Sequence, residues 1–455
     1  MKHLTIKNIG PIKEVDIDFN KINIIMGPQS SGKSTITKVA CYCTWVEKRV
    51  SLTQSFDFFL SENNFLNYLL IFHKLEGYLQ EDSEIHYCST VVEFLYKYKQ
   101  QPKFMWKNRY SYIKTKISYI PAERNIVSLI SDWKQVSLPN NNIRNFMADW
   151  NIARKSYTPE YHSKIECLNI EYYRDESDID YIVTPDEHAV KLLNASSGQQ
   201  SLIPLYILIE YFTNIIYKLE EEKSVEDKEE EEKLGKFLID KVIVDILQKK
   251  GIRFNDNQWQ DYFWEISQEQ VKTQTKKADV EKAFRTLINS FIKNNSKKIY
   301  EALKPYAMRY FVTNYSSLFI EEPELNLFPL TQRDVLYHII KVIQKGDKKH
   351  DLFLTTHSPY ILYALNNCML GWLVKDKISE EDLKKFPWQS SWINPKWVSI
   401  WEIENGKLRN TSQSRKNTIQ DKEGLIGKNY FDDNMKELME DFDTLLEYYD
   451  DKNEN

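Results

Sequence analysis

The chain has 455 residues, 42% of them hydrophobic, and a formal net charge of -5; this allows about two to four domains with an ample core and excludes a protein coated in nucleic-acid-binding charge, though not a local basic groove. Five cysteines, an odd number without a C-x-x-C pair, predict reduced thiols and no structural zinc site. The longest apolar run, Leu202 to Ile216, is interrupted by Glu210 and is too short to span a bilayer, and the opening Leu4 to Ile9 reads as a strand and not a signal peptide, so a cytoplasmic protein with no membrane partner is expected.

Two strand-like segments, Leu4 to Ile9 and Glu14 to Phe19, precede a third, Ile22 to Met26. The third feeds Gly27-Pro28-Gln29-Ser30-Ser31-Gly32-Lys33-Ser34, followed by Thr35, and a helix-compatible run to Ala40 leaves it. The spacing G-x-x-x-x-G-K-S between strand and helix is that of the phosphate-binding loop of a nucleoside triphosphatase. Backbone N–H groups from Gly27 to Lys33 can wrap the β- and γ-phosphates, and the positive end of the helix faces them. Lys33 adds a point charge and the Ser34 hydroxyl is placed to ligate Mg²⁺. ATP and Mg²⁺ are therefore the expected cofactors.

Residues 41–110 carry Phe56, Phe59, Phe65, Tyr68, Phe72, Phe94 and Tyr98 at loosely helical spacing, which predicts a helical lobe with an aromatic core; Cys41 and Cys43 read as buried helix positions. Residues 111–215 return to strand character at Ile117 to Ile120, Ile165 to Tyr173 and Ile179 to Thr184. The first of these ends at Pro121, and Glu123 and Arg124 just beyond it are candidates for γ-phosphate or metal sensors, or else for an ion pair beneath the sheet. The last leads to Asn194-Ala195-Ser196-Ser197-Gly198-Gln199-Gln200, where a long helix begins near Gln199. A hydroxyl and small residues at a helix start offer N–H groups and a dipole to an anion. Residues 216–309 hold the acidic block Glu220 to Glu232 and then Lys272, Lys276, Lys277, Lys282, Lys293, Lys297 and Lys298, predicting an inserted helical arm.

Within residues 310–410, Ser317-Leu318-Phe319-Ile320-Glu321-Glu322-Pro323-Glu324 is an apolar run ending in carboxylates. Glu321 is suited to hold the Mg²⁺ shell through water, and Glu322 to polarise an attacking water as general base. A second apolar run, Leu352 to Thr355, ends at Thr356-His357-Ser358-Pro359. Asn405-Gly406 predicts a hairpin turn. Residues 411–455 form a tail, helical from Asn434 to Tyr449, so Asp441 and Asp443 lie on a helix and do not form a strand-borne metal site.

In this order the motifs resemble the RecF/OLD-like branch of ABC-type ATPases, over about 1–135, 165–215 and 310–410. The resemblance implies an α/β fold: a P-loop ATPase head in three parts (1–40, 111–215, 310–410) with a helical lobe and a short helical arm. It implies that Ser196, Ser197, Gly198 and Gln199 form a signature loop, with Ala195 for the usual Leu, that meets the γ-phosphate of a partner subunit in a head-to-head dimer. Glu321 stands where the family norm is Asp, and no glutamine stands at the Q-loop position. His357 resembles the switch histidine that contacts the γ-phosphate, and Pro323 to Pro329 takes the place of the D-loop. A head with a short arm and no strand-borne D-x-D resembles ATPase subunits of bacterial anti-phage systems, PARIS-type first and Septu-type next. That implies a separate Toprim or HNH effector, a phage protein or DNA as trigger, and no nuclease in this chain. A RecF-like ATPase gripping duplex DNA is the alternative, with Lys103, Lys107, Arg109, Lys114 and Lys116 as candidates for a basic cradle.

Overall fold

The structure is a computed structural model and describes residues 2–130, 139–218, 233–235, 237–239, 241–242, 299–409 and 418–450. Most of the expected arm at 216–309, with its acidic block and the lysines named above, lies outside the described residues. The chain opens with strands β1 (His3–Ile9), β2 (Ile12–Asp18) and β3 (Ile22–Met26), as the sequence predicts. Helix Lys33–Thr53 leaves the loop after β3.

The helical lobe expected over 41–110 is helical only to Phe72. Short turns at Asp57–Leu60, Asn64–Asn67 and Tyr68–Phe72 give way to β4 (Leu79–Cys88), β5 (Val92–Lys97) and β6 (Lys103–Trp106). Here an alternation of period two overrides the loose helical spacing. Ser83, Ile85, Tyr87, Val92, Phe94 and Tyr96 are buried while the residues between them in each strand keep solvent contact, the pattern of strands with one covered face. The aromatic core itself is present: Phe59, Phe65 and Phe94 are buried and all contact Phe104. Cys41 and Cys43 are buried in the loop helix, and burial pushes both thiols up.

Beyond β7 (Thr115–Ile120) come β8 (Ser163–Ile165), β9 (Ile170–Arg174), β10 (Asp180–Val183) and β11 (Ala189–Lys191). These four form a small antiparallel sheet, and a 3₁₀ turn at Glu166–Leu168 splits the strand expected at 165–173. Then follow β12 (Tyr315–Glu321), β13 (Asp351–Thr356), β14 (Val398–Glu404) and β15 (Lys407–Leu408). The turn between the last two has Asn405 and Gly406 at φ 51° and 79°, the left-handed pair a two-residue hairpin requires.

The main sheet has eleven strands in the order β6-β5-β4-β1-β2-β15-β14-β3-β13-β12-β7. Five of them, β14, β3, β13, β12 and β7, run parallel. Their side chains alternate between two cores. Ile22, Ile24, Leu318, Ile320, Leu352, Leu354 and Ile400 join one cluster, and Ile25, Phe319, Phe353, Trp401 and Ile403 the other. Two-sided burial is why these strands read as unbroken apolar runs. The first face carries helices Asn142–Ala153, Ser197–Thr213, Pro329–Gln344 and Pro359–Val374 and the small sheet β8–β11, and the second carries the loop helix, whose core also takes the apolar side chains of β1, β2, β4 and β5.

Register decides what this sheet can do. Met26 pairs with Thr356 and with Glu402, and Glu321 pairs with Thr355. The C-terminal ends of β3, β12, β13 and β14 are therefore level, and the loops leaving them share one edge, the usual place for ligands in a parallel sheet. The tail is a helix over Tyr430–Asp450, longer than expected. Among the described residues no helix is long and apolar enough to cross a membrane.

Candidate nucleotide-binding site

The loop after β3 has the backbone of an anion cradle. Gly27 and Gly32 have φ of 143° and 104°, and Ser30 is left-handed at 61°. A Cβ on Gly27 would lie 2.7 Å from the Ile403 carbonyl of β14, so the neighbouring strand leaves room only for glycine. Lys33, buried, donates through Nζ to the carbonyls of Gly27 (2.9 Å) and Pro28 (2.6 Å). Burial pulls its ammonium down to about 8, against the opposing pull of Glu322 and Glu324. Ser31 Oγ is buried with no hydrogen-bond partner, and an orphaned hydroxyl in the cradle suits an anionic ligand. Pro28 and Ser34 are partly exposed, Gln29 and Ser30 exposed, and Thr35 buried.

Opposite this loop, β12 ends in two carboxylates with different surroundings. Glu321 is buried; its Oε2 accepts from the Ala122 N–H at 3.4 Å, and its Oε1 has no partner. A buried orphan carboxylate oxygen fits a Mg²⁺ shell held with Ser34. Among the described residues no cluster of three or more metal-ligating side chains exists, so phosphates and water would supply the remaining ligands, as is usual for this ion. Glu322 has φ 43°, a strained conformation for a non-glycine residue. Its Oε1 lies 3.1 Å from His357 Nε2, and that hydrogen bond holds the carboxyl below its ordinary range. Glu324 sits beneath them: Oε1 accepts from the His357 N–H (2.6 Å) and Thr356 Oγ1 (2.9 Å), while burial pushes the carboxyl up. It braces His357, a part the sequence did not reveal.

Arg124 is not a sensor facing the nucleotide, and it is not an ion pair. It has no exposed surface and donates to backbone carbonyls: Nη1 to Glu321 (2.8 Å) and Pro121 (3.3 Å), Nη2 to Glu322 (2.7 Å), Nε to Ser201 (2.9 Å). Burial lowers its guanidinium to about 10, so it stays charged at neutral pH. Pro204 explains why a helix carbonyl region is open here. Lacking an N–H, Pro204 leaves the Gln200 carbonyl without its helical donor. Ser128 Oγ takes that position at 3.4 Å, and Arg124 takes the next carbonyl. Glu123 is exposed and is not drawn into the cluster.

The segment Ser196–Gln199 starts the helix Ser197–Thr213 through a capping box: Ser196 Oγ accepts from the Gln199 N–H, and the Gln199 side chain accepts from the Ser196 N–H. Ser196 and Ser197 are exposed, Gly198 and Gln199 partly so. Among the described residues neither Ser196 nor Gln199 hydrogen-bonds any residue of the phosphate loop. A Cβ on Gly198 would lie 2.8 Å from the Asn326 carbonyl, and Asn326 Nδ2 donates to Ser201 Oγ at 3.0 Å. The helix start is thus locked to the segment Pro323–Pro329. Residues Glu324 to Pro329 of that segment, with Gln332, His357 and Glu322, line a cleft of about 550 Å³. The structure therefore brings Lys33, Glu321, Glu322 and His357 to one edge and leaves Ser196 to Gln199 on the surface.

No family model matches the chain, and no curated protein matches it in sequence. Among solved structures it is similar to the SMC head domain from Thermotoga maritima, at 12% identity and TM-score 0.32, over 80% of this chain and 90% of that one. It is also similar to the recombination mediator protein RecF-ATPrS of the RecFOR pathway, at 10% identity and TM-score 0.25, over 89% of this chain and 96% of that one. At such scores the likeness carries no weight beside the chain's own geometry.

Two outcomes follow from this geometry. Arg124→Lys keeps a cation but loses the fork that spans four carbonyls, and should cost about 2–4 kcal/mol of stability, read as a lower urea midpoint; an unchanged midpoint would refute the clamp. Because Lys33 is charged below about pH 8 in the free protein and loses its charge above that, ATP affinity should fall by up to roughly tenfold per pH unit from pH 8 to 9.5. Calorimetry should show this in the wild type and a flat profile in Lys33→Ala.

Proposed function

We propose that this chain is an ABC-type ATPase subunit that binds ATP and Mg²⁺ between two copies of itself and hydrolyses ATP. In this reading it serves a bacterial anti-phage system by holding or gating a separate effector protein of Toprim or HNH type, until a phage protein or DNA triggers release. The observation that carries the ATPase reading is the meeting of Lys33, Glu321, Glu322 and His357 on one edge of the parallel sheet. Lys33 meets the β- and γ-phosphates after leaving the Gly27 and Pro28 carbonyls, and Ser34 and Glu321 hold Mg²⁺. Mg²⁺ supplies charge neutralisation at the phosphates. Glu322, kept ionised, takes the proton of the attacking water, and His357 exchanges its contact with Glu322 for one with the γ-phosphate.

The dimer reading is supported by the surface beside the cleft. Phe328 and Leu330, two residues apart at the start of a helix, are 83% and 66% exposed, and Ser196 is exposed as well. The DNA-clamp alternative gains no comparable support. Lys107 pairs with Glu93 (3.4 Å), Lys116 with Asp149 (2.8 Å), and Arg109 bonds Gln54 (2.9 Å).

Glu322→Gln should retain ATP binding while hydrolysis falls by roughly 10²-fold or more, the scale expected of a general base; unchanged turnover by phosphate release would move the role to Glu321 or Glu324. A mixing experiment tests whether sites are shared. Ser196→Arg and Lys33→Ala proteins should each be inactive alone. Mixed, their heterodimers contain one site with both Lys33 and Ser196, and roughly a quarter of wild-type turnover should return by the statistics of a twofold pair. Normal turnover by Ser196→Arg alone would remove both the signature loop and the dimer.

A further inference from the structure

We propose that the helix Tyr430–Asp450 is a docking rod for a basic amphipathic helix of a separate protein. Its first turn is fixed to the head. Tyr430 and Phe431 pack on the core, Glu402 accepts from the Tyr430 N–H (3.1 Å), Tyr363 Oη donates to Asp432 (2.6 Å), and Arg409 pairs with Asp433 (2.7 Å). From Met435 to Tyr449 every residue is exposed. Met435, Leu438, Met439, Phe442, Leu445 and Leu446 recur at steps of three and four, and are 39–68% exposed. That is a continuous apolar stripe along one face, laid out as the seam of a two-helix contact.

The charge beside the stripe selects the partner. The helix carries eight acidic residues and one lysine, Lys436, and that lysine is already paired with Glu440 at 3.2 Å. Asp441 and Asp443 flank the stripe on its two sides. Two copies of this helix would bring like charges together along the seam, and nucleic acid or anionic lipid would be repelled. A helix with Lys or Arg bordering its own apolar stripe satisfies both the seam and the charge. A solvated helix of this length with few good i,i+4 pairs is marginal alone, which gives the covering partner a further role. The rod is rooted on β14, whose Glu402 lies beside Met26 at the entrance to the phosphate loop, so the partner would hang from the edge that holds nucleotide.

The proposal rests on the effector reading only for there being a partner. The test uses the full chain in its own host cells with the photo-reactive residue p-benzoylphenylalanine in place of Phe442. The expected result is a cross-link to a different polypeptide, at a segment with apolar residues every three or four positions bordered by Lys or Arg. The purified pair should weaken about tenfold or more as salt rises from ~0.05 to ~0.3 M. The double substitution Asp441→Lys with Asp443→Lys leaves the stripe intact and should weaken the pair at least about tenfold with unchanged circular dichroism, restored by reversing the facing basic residues of the partner. The proposal is overturned by a cross-link solely to the same helix of a second copy, by one to this chain's own 280–298, where Lys282, Arg285 and Lys293 border apolar residues, or by none at all. Turnover of the same variants keeps the two readings apart. An absent cross-link with turnover intact removes the docking rod alone, whereas a cross-link with no turnover by the unsubstituted chain removes the ATPase and leaves the rod.

Discussion

The guanidinium of Arg124, with no exposed surface, joins three separate pieces of chain. It bonds the Pro121 carbonyl just after β7, those of Glu321 and Glu322 at the end of β12, and one in the helix that begins at Ser197. A buried cation with fewer acceptors would be expelled or deprotonated, so these bonds are a condition for the residue being there at all. In return the fork holds Glu322 by its carbonyl in a left-handed conformation that glutamate would otherwise avoid. The direction of the Glu322 side chain, and its contact with His357, follow from that backbone.

The same constraint links catalysis to the surface. The helix start at Ser196–Gln199 is fixed by its capping box, by the close approach of Gly198 to Asn326, and by the Asn326–Ser201 bond. The segment from Pro323 to Pro329, which follows the carboxylates directly, is thereby tied to the outward-facing serines. In the proposed pair of heads, the elements each subunit offers its neighbour are rigidly connected to its own acid cluster.

Much of this was legible in the sequence, for a physical reason. Strands covered on both faces must be apolar throughout, so Ile22–Met26, Leu318–Ile320 and Leu352–Leu354 stand out, and the polar residues where they stop mark one sheet edge. The glycine spacing of the loop was legible because positive φ and the Ile403 carbonyl admit little else. The strands from Leu79 to Trp106 are not legible, because aromatic residues serve helix cores and strand faces alike and the spacing Phe94 to Tyr98 imitates a helical turn. Nor could the sequence reveal Arg124 as a clamp or Glu324 as a brace. Hydrogen bonds to backbone carbonyls and N–H groups depend on fold geometry alone and leave no pattern of partner residues. Pro204 was the one available sign that a helix carbonyl, that of Gln200, would lack its donor.

The position of Lys33 has a consequence for selectivity. Its ammonium holds the carbonyls of the first two loop residues, Gly27 and Pro28. Any anion entering must replace two charge-assisted hydrogen bonds, each worth about 1.5–3 kcal/mol. A lone phosphate or sulfate reaches too few of the loop's N–H groups to offset that loss, whereas a polyphosphate lying along the whole loop engages them together. In the proposed ATPase the loop would therefore favour a polyphosphate over a single small anion.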